Sequence, residues 1–352
     1  MRYGALLGTA LLVASTARAA TFTVNNLNDS GPESLRARIA EANASPGPDT
    51  INFSVTGTIT LTSGQLQITD ALTIVGPGAA NLTVDGNANN RIFLIDVASP
   101  AACPAPTTPT NYAVTISGLT LQNARRNSDN SGGAIWSAHD LTVDSVVVQN
   151  NQAKSGAGIS FLTQYANQKL MIKNSLFQNN IAKPLSSPVT GSQHGGAFRV
   201  VENCRDPINL NTAIPAIVDV SNSEFKANRA QPVLASAFGA AIFADAYADI
   251  TISDSRIVGN QIDVPDPPVA NQVYQGAGIR AQARSLTIVR SEIANNVVLD
   301  ATGSDATRAG GIDVLLLDPL LQVSADAMTV AIVNSTVSDN SVSANAGGIR
   351  AL

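Results

Sequence analysis

The chain has few cysteines, aromatic residues and charges, and each shortage excludes a class of protein. Two cysteines among 352 residues cannot form a disulfide framework. No block of lysines and arginines occurs and the formal net charge is −5, so we expect no nucleic-acid partner, because phosphate binding needs a basic surface. Aromatic residues make up 4% and charged residues 13%. Small, β-branched and amide residues take their place, which favours stacked strands with tight corners over helices.

The first 19 residues have the pattern of a secretory signal peptide. Arg2 precedes a short apolar run that ends at Val13, and Ala17-Arg18-Ala19 has the small residues of a cleavage site. The run is too short to span a membrane, and no other stretch of the mature chain approaches that length. We therefore predict a signal peptide over 1–19 and a secreted or cell-surface protein, with outer-membrane association as one form.

Residues 20–60 predict an N-terminal cap. Alternation near 21–26 indicates a strand, and a helix is expected over about 32–44, with Ser30 or Asp29 as its N-cap. A helix lying across the end of a strand stack would cover its core and its free strand edge. The apolar face of this helix would carry Leu35, Ile39 and Ala42.

From residue 114 onward the chain repeats one sequence motif, and the clearest copy of this motif is Leu286–Asn296. Each copy has an apolar alternation, a polar corner, another apolar residue and, three positions later, asparagine. The first copy departs from this pattern, with Ala124 in register and Asn123 one place earlier. Each unit then closes with small residues before an apolar one, as in Gly132-Gly133-Ala134-Ile135. The repeated asparagines are Asn151, Asn180, Asn228, Asn260, Asn296 and Asn340.

This repeat predicts an all-β fold, a right-handed parallel β-helix over 61–352 with three short strands in each coil. No unit can bury its apolar face alone, whereas stacked coils form one continuous core. The asparagine would take a left-handed backbone at the corner, and its amide would bond to the same amide in adjacent coils. A β-propeller or an antiparallel sandwich would need hairpin signals, which are nearly absent. The chain stops at the closing strand Gly347–Leu352, so we expect a truncation, a missing domain or a partner that covers this end.

Two family resemblances follow from these residues. Gly132-Gly133-Ala134-Ile135, with Phe177–Asn180 and Phe225–Asn228, resembles the GGAI and FxxN repeats of polymorphic outer-membrane proteins. Ser34-Leu35-Arg36 and the residues after it resemble the CSLREA-type segment of bacterial secreted β-helix proteins, although Glu33 stands in place of the cysteine. The resemblance implies a pectin-lyase-like fold on an exported, often adhesin-like protein. It specifies no activity.

The sequence offers no catalytic constellation. Pectin-lyase-like enzymes need converging carboxylates, or a base beside a calcium ion, and the acids here are scattered. His194 precedes Gly195 but has no acid partner in the expected coils, so we interpret it as a loop residue, and we assign no role to His139. We predict no catalytic residue, no metal and no cofactor.

One row of residues is the best candidate for ligand binding. Each follows the inward apolar residue of the third strand, so it should point away from the core. Aromatic rings and arginines along such a row suit a glycan, whereas the plainer alternative is that large side chains simply cover a sheet. The row is Trp136, Ser160, Arg199, Phe243, Arg280, Asp313 and Arg350, of which Trp136, Arg199, Phe243, Arg280 and Arg350 are the predicted ligand-binding residues.

Cys103 and Cys204 allow a further hypothesis. Both lie in long loops that precede the first strand of a coil and leave from the same corner, three coils apart. An exported protein meets oxidising conditions, so a disulfide between them is one alternative and two free thiols are the other.

Three functions remain open on the sequence. The first, which we favour, is a non-enzymatic β-helix scaffold for adhesion or for contact with an extracellular polysaccharide or a cell-surface glycan. The second is a polysaccharide lyase or hydrolase with a site built from loops 181–194, 261–275 and 297–308. The third is a stalk that binds no ligand.

Overall fold

The computed structural model describes residues 18–96, 111–126, 131–184, 191–202, 215–266, 271–300, 307–315, 328–343 and 347–351. The chain winds into a parallel β-helix in which equivalent strands of successive coils pair side by side. Three long sheets, which we name A, B and C, enclose the core. The predicted signal peptide and both cysteines of the disulfide hypothesis fall outside the described residues, apart from Arg18 and Ala19.

The strands of sheets A, B and C contain the apolar positions of the repeat. Sheet A contains β1 (Thr21–Val24), β2 (Asp49–Phe53), β5 (Leu72–Val75), β8 (Ala113–Ser117), β11 (Asp140–Asp144), β15 (Lys169–Lys173), β20 (Ala216–Ser221), β25 (Ala248–Ser253), β30 (Ser285–Val289) and β35 (Thr329–Val333). Sheet B contains β3 (Gly57–Thr60), β6 (Leu82–Asp85), β9 (Thr120–Gln122), β12 (Val147–Gln149), β16 (Leu176–Gln178), β21 (Glu224–Lys226), β26 (Arg256–Val258), β31 (Glu292–Ala294) and β36 (Thr336–Ser338). Sheet C contains β4 (Leu66–Ile68), β7 (Phe93–Ile95), β10 (Ile135–Ser137), β14 (Ile159–Thr163), β19 (Phe198–Glu202), β24 (Ile242–Asp245), β29 (Ile279–Gln282), β34 (Ile312–Val314) and β38 (Ile349–Ala351).

Five strands per coil, rather than the predicted three, form in the middle of the stack. The variable loop after the asparagine begins and ends with a short strand, and these strands pair across coils into two further sheets, D and E. Sheet D contains β13 (Gln152–Ala153), β17 (Ile181–Ala182), β22 (Arg229–Ala230), β27 (Gln261–Asp263), β32 (Val297–Leu299) and β37 (Ser341–Val342). Sheet E contains β18 (Gln193–His194), β23 (Ala237–Phe238), β28 (Tyr274–Gln275) and β33 (Thr307–Arg308). A second apolar cluster, around Ile262 and Tyr274, packs between D and E.

The main core follows from the period-two alternation of the strands. Leu286, Ile288 and Ile293 are fully buried, as are their counterparts in most other coils. Because pairing is in register, identical side chains stack, and the rings of Phe177 and Phe225 lie 5.0 Å apart between centroids. Burying one such side chain stabilises the fold by roughly 1.5–3 kcal/mol.

The N-terminal helix α1 spans Leu35–Ala44 and packs against β1, β2 and β4. It starts later than predicted because Ser34, not Ser30 or Asp29, is the N-cap: its Oγ accepts a hydrogen bond from the Ala37 backbone N–H at 3.2 Å. Leu35, Ile39 and Ala42 are buried in the main core. Strands β1, β2 and β3, within the predicted cap of 20–60, already belong to sheets A and B.

The six repeated asparagines form a buried hydrogen-bonded ladder at the corner between sheets B and D. In each step the backbone N–H and the Nδ2 of one asparagine donate to the Oδ1 of the next, as from Asn180 to Asn228 at 3.1 and 2.9 Å. The same Nδ2 also donates to a backbone carbonyl of the previous coil, so the amide is fully paired. The left-handed backbone, however, belongs to the preceding residue, such as Asn179 or Ala227, and not to the ladder asparagine as predicted.

A serine ladder, which the sequence reasoning missed, runs along the corner between sheets A and B. The backbone N–H of Ser223 donates to Ser255 Oγ at 3.1 Å, and Ser255 Oγ donates to the Ser253 carbonyl at 2.6 Å. The signal was present, because a serine precedes the sheet B apolar residue by two positions in five coils. Its members are Ser175, Ser223, Ser255, Ser291 and Ser335.

Among the described residues, no helix has the length and apolar character needed to cross a bilayer.

Candidate functional site

Sheet E lies against the outer face of sheet C because the chain reverses sharply at a glycine. Gly195, for example, has φ of +58°, and a Cβ there would lie 2.2 Å from the Phe198 carbonyl oxygen. Gly239 and Gly276 repeat this geometry in the next two coils. Glycine takes this left-handed backbone without strain, whereas Ala309 occupies the equivalent place in the following coil with φ of +48°. The strand before each of these turns therefore meets the strand after it at a tight corner.

The candidate row on sheet C is in register, as its spacing predicted. We call it the C row: Trp136, Ser160, Arg199, Phe243, Arg280, Asp313 and Arg350. Successive members belong to paired strands, so their backbones are about 4.8 Å apart.

The C row is not the open surface stripe that the sequence predicted. Asp313 is completely buried, and Phe243 and Arg280 are each only 7% exposed. Trp136, Arg199 and Arg350 are half-buried. The C row faces away from the core, but sheet E and the turns that connect it to sheet C cover the middle members of the row. The accessible positions of the row are therefore its half-buried members. We use the word groove for the strip between this row and sheet E.

A second row on sheet E forms one wall of this groove. We call it the E row: His194, Phe238, Gln275 and Arg308. His194 stacks on Phe243 of the C row, with centroids 4.2 Å apart and planes at 13°, and Phe238 lies 5.4 Å from His194. The guanidinium of Arg280 lies 5.7 Å above the Phe238 ring. Three rings and one cation thus form a compact cluster across the two rows.

The sequence reasoning missed the E row, although a signal existed. Before the left-handed residue of each turn, which is glycine in three coils and Ala309 in the fourth, stands a pair whose first residue is buried and whose second residue belongs to the E row. Because the pair is only two residues long, no alternation can be recognised within one coil. The pairs are Gln193-His194, Ala237-Phe238, Tyr274-Gln275 and Thr307-Arg308. They lie in loops 181–194, 261–275 and 297–308, which were predicted for a loop-built site, and in the equivalent loop between residues 229 and 239.

Arginines outnumber acids in the two rows. Asp313 lies between two of them, with Arg280 Nε at 3.0 Å and Arg350 Nε at 2.6 Å. Arg199 Nε instead donates to the neutral Ser160 Oγ at 2.9 Å. The rows hold four arginines, Arg199, Arg280, Arg308 and Arg350, against one aspartate, Asp313. This excess leaves a positive field in the groove.

Burial is the main cause of the pKa shifts in the groove. Burial lowers the pKa of Arg199 to about 10. Burial also lowers the pKa of Arg280, against the opposing effect of Asp313. For His194, burial and the charges of Arg199, Arg280 and Lys154 lower the pKa to about 3. The imidazole is therefore neutral at physiological pH, and it contributes a flat ring rather than a charge.

Trp136 continues the groove toward the N-terminus of the stack. The Arg91 guanidinium lies 5.9 Å from the centre of its ring. Arg91 is itself fixed by hydrogen bonds from Nε to the Gly132 carbonyl at 2.9 Å and from Nη2 to the Ser131 carbonyl at 2.7 Å. Burial, followed by the charge of Arg126, lowers the pKa of Arg91 to about 9. This pair is a second place in the groove where an arginine lies beside an aromatic ring.

His139, which received no role from the sequence, is completely buried at the corner between sheets C and A. Its ring stacks on Tyr112 with centroids 3.7 Å apart, and Nε2 lies 3.7 Å from a carboxylate oxygen of Asp96. Burial and the charge of Asp96 raise the pKa values of Tyr112 and Tyr165. Since the imidazole has no exposed surface, we interpret this cluster as part of the packing of the corner. Within the described ranges, no group of three or more His, Cys, Asp or Glu side chains is placed to hold a metal ion.

Comparisons with known proteins identify no family for the chain. No protein-family model and no curated protein matches the chain. Among solved structures, it is similar to the A-module of the Azotobacter vinelandii mannuronan C-5 epimerase AlgE4, with 14% identity, a TM-score of 0.33, and coverage of 92% of this chain and 99% of that one. It is also similar to the A-module of AlgE6 from the same organism, with 13% identity, a TM-score of 0.32, and coverage of 90% and 100%. These likenesses are too weak to carry an argument about chemistry, and the resemblance to the two outer-membrane and secreted families stays a prediction.

Proposed function

We propose that this chain is an exported β-helix scaffold that binds an acidic polysaccharide in the groove between its C and E rows. The carrying observation is the excess of arginines over acids beside a cluster of aromatic rings. Arg199 is the central contact, because its guanidinium has a neutral hydroxyl rather than a carboxylate as its partner. A sugar carboxylate would supply the missing anion, since guanidinium groups pair with carboxylates in a bidentate geometry.

The aromatic side chains fit the same ligand. Trp136 and Phe238 are half-buried, so each exposes part of a ring beside an arginine. The apolar face of a sugar ring can pack on such a surface while its carboxylate meets the neighbouring cation. Stacked coils repeat these contacts along one line, which suits a polymer more than a single sugar.

The test is binding of polygalacturonate, which carries one carboxylate per residue, by isothermal titration calorimetry at low and moderate salt. Neutral dextran serves as the uncharged comparison. We expect the wild-type protein to bind the polyuronate and not dextran, with affinity falling as salt rises. Arg199→Gln should weaken binding at least tenfold, and Trp136→Ala and Phe238→Ala severalfold each.

Arg256→Gln is the matched control, because Arg256 is an exposed arginine on sheet B, paired with Glu224 and Glu292. It should bind like the wild type. Equal weakening by Arg256→Gln and Arg199→Gln would mean that only general charge matters and would contradict the proposed groove. Absence of polyuronate binding by the wild type would favour the stalk, and release of unsaturated or reducing sugars would favour an enzyme.

A further inference from the structure

A cleft opens where the asparagine ladder ends. The last ladder residue toward the N-terminus is Asn151, and the equivalent position one coil earlier is Ala124. The Ala124 backbone N–H still donates to Asn151 Oδ1 at 2.9 Å, but alanine has no amide to fill the corner. The irregular first repeat of the sequence thus corresponds to a real change in the structure.

Sheet D also begins at this point, and that leaves a step in the surface. Arg125 forms an isolated bridge with Gln152, while the coil before it turns through Asn87 and Ala88 instead of forming a sheet D strand. The cleft at this step has a volume of about 540 Å³. Its lining comes from four successive coils: Thr60, Asp85, Asn87, Ala88, Asn123, Ala124, Arg125, Asn150 and Gln152.

Four residues around the cleft have a left-handed backbone without being glycine. Asn87, Ala88, Asn123 and Asn150 all have φ between +50° and +57°. Asn87 and Asn150 are exposed, so no core packing requires these amide side chains.

The Asp85 carboxylate accepts hydrogen bonds from residues that surround the cleft. Its Oδ1 accepts from the Asn87 backbone N–H at 2.7 Å, and its Oδ2 accepts from Gln122 Nε2 at 2.9 Å and Asn123 Nδ2 at 2.7 Å. Three donors from two coils therefore use the carboxylate. Asp85 organises the cleft and is not left as a free anion within it.

The other polar groups of the cleft are available to a ligand. Within the described part of the chain, the side chains of Thr60, Asn87, Asn150 and Gln152 form no hydrogen bond to protein groups, and Arg125 Nε is buried without a partner. A buried donor left unpaired carries a desolvation penalty that an acceptor on a ligand would relieve. Three amides, one hydroxyl and one guanidinium thus converge on one cavity with hydrogen-bonding capacity unused.

We propose that this cleft is a second binding site, for a neutral sugar unit. Amide and hydroxyl groups can each donate to and accept from vicinal hydroxyl groups, which is how a polyol is recognised. Arg125 and Asp85 balance in charge, so the cleft lacks the positive excess of the C and E rows. It lies at the corner of sheets B and D, and it shares no residue with the groove between C and E, so this inference is independent of the proposed function.

The test exploits a matched pair of left-handed asparagines. Asn150 lines the cleft, and Asn179 occupies the equivalent exposed position one coil later, outside it, with φ of 56° against 57°. Glycine tolerates this backbone, so Asn150→Gly and Asn179→Gly should fold equally well. The probes are maltotriose, cellotriose and galactose, each followed by saturation-transfer NMR and by competition titration on the full chain.

We expect at least one of these neutral sugars to bind the wild type. Asn150→Gly and Arg125→Gln should weaken that binding at least tenfold, and Asn179→Gly and Arg199→Gln should leave it unchanged. Equal loss in the two glycine variants would overturn the site, as would no binding by any probe. Binding of galacturonate alone, lost in Asn150→Gly, would overturn the neutral class of ligand.

Discussion

The asparagine ladder and the C row are both columns of side chains stacked one per coil, yet they are built in opposite ways. In the ladder every coil from Asn151 to Asn340 supplies the same residue, because each amide completes the hydrogen bonds of the next. In the C row a tryptophan, a serine, arginines, a phenylalanine and an aspartate follow one another. Repetition of one residue therefore marks the scaffold, and variation at one register position marks the surface that can acquire a ligand.

Breaking the ladder at its centre should cause the largest loss of stability. Asn228→Ala would leave the Asn180 backbone N–H, one of the two N–H groups of Asn180 Nδ2 and the Phe177 carbonyl without these partners in a fully buried position. Unpaired buried groups cost about 1–3 kcal/mol each, so we expect the free energy of unfolding to fall by about 3–5 kcal/mol. Urea denaturation followed by circular dichroism measures this.

The control for this prediction is Asn340→Ala, at the half-buried end of the ladder. Water can reach the polar groups that Asn340→Ala leaves unpaired. The free energy of unfolding should therefore fall by less than half as much as in Asn228→Ala. Equal costs would contradict the view that burial of the amide column is what stabilises the corner.

Substitution at the charged end of the C row should cause the next largest loss of stability. Asp313→Asn removes the carboxylate that lies between Arg280 and Arg350 and leaves these two buried cations without its charge. Breaking a buried pair in this way costs about 3 kcal/mol. The comparison is Asp254→Asn, because Asp254 pairs with Arg290 at the surface, where solvent screens the pair and its contribution to stability is small. If the two variants lose the same stability, Asp313 does not support the row.

The serine ladder should be weaker than the asparagine ladder. Ser255→Ala leaves one N–H, that of Ser223, without its acceptor, and the expected cost is about 1–2 kcal/mol. Ser253→Ala, two residues away on the outer face of sheet A, should change the free energy of unfolding by less than about 0.5 kcal/mol. A Ser255→Ala variant as stable as Ser253→Ala would show that water replaces the lost acceptor.

The sequence was sufficient for the strands of sheets A, B and C and for the asparagine ladder, whereas the equally periodic serine ladder was missed. Strands at Val114, Leu141 and Leu170 could be aligned because their alternation recurs, and in-register pairing then placed the C row correctly. Sheets D and E could not be found, since two-residue strands such as Gln193–His194 show no alternation. That omission is why the C row was expected to be open to solvent, although sheet E covers its middle.

Two smaller predictions were wrong, namely the position of the left-handed residue and the start of the helix. The left-handed residue was assigned to the ladder asparagine because asparagine tolerates that backbone, but the residue before it turns the corner, and in one coil this is Ala227. The helix was started early because Asp29 and Ser30 both suit an N-cap. Asp29 instead accepts from Arg36 Nη2 at 2.6 Å and from the Ser63 backbone N–H at 2.7 Å. Such long-range contacts leave no periodic trace in a single sequence.

The last expected effect, which is absent at neutral pH, concerns His194 and the pH dependence of stability. Because its folded pKa, about 3, lies below the unfolded value of about 6.5, the unfolded chain binds more protons between these two pH values. This contribution is therefore complete above about pH 6.5 and declines as the pH falls toward 3. His194→Phe keeps a ring against Phe243 but cannot take up a proton. Urea midpoints from pH 4 to 8 should fall less steeply for this variant than for the wild type, by roughly the linkage of one proton. Identical slopes would mean that the imidazole is protonated in the folded groove, and the ring cluster would then carry a charge of its own.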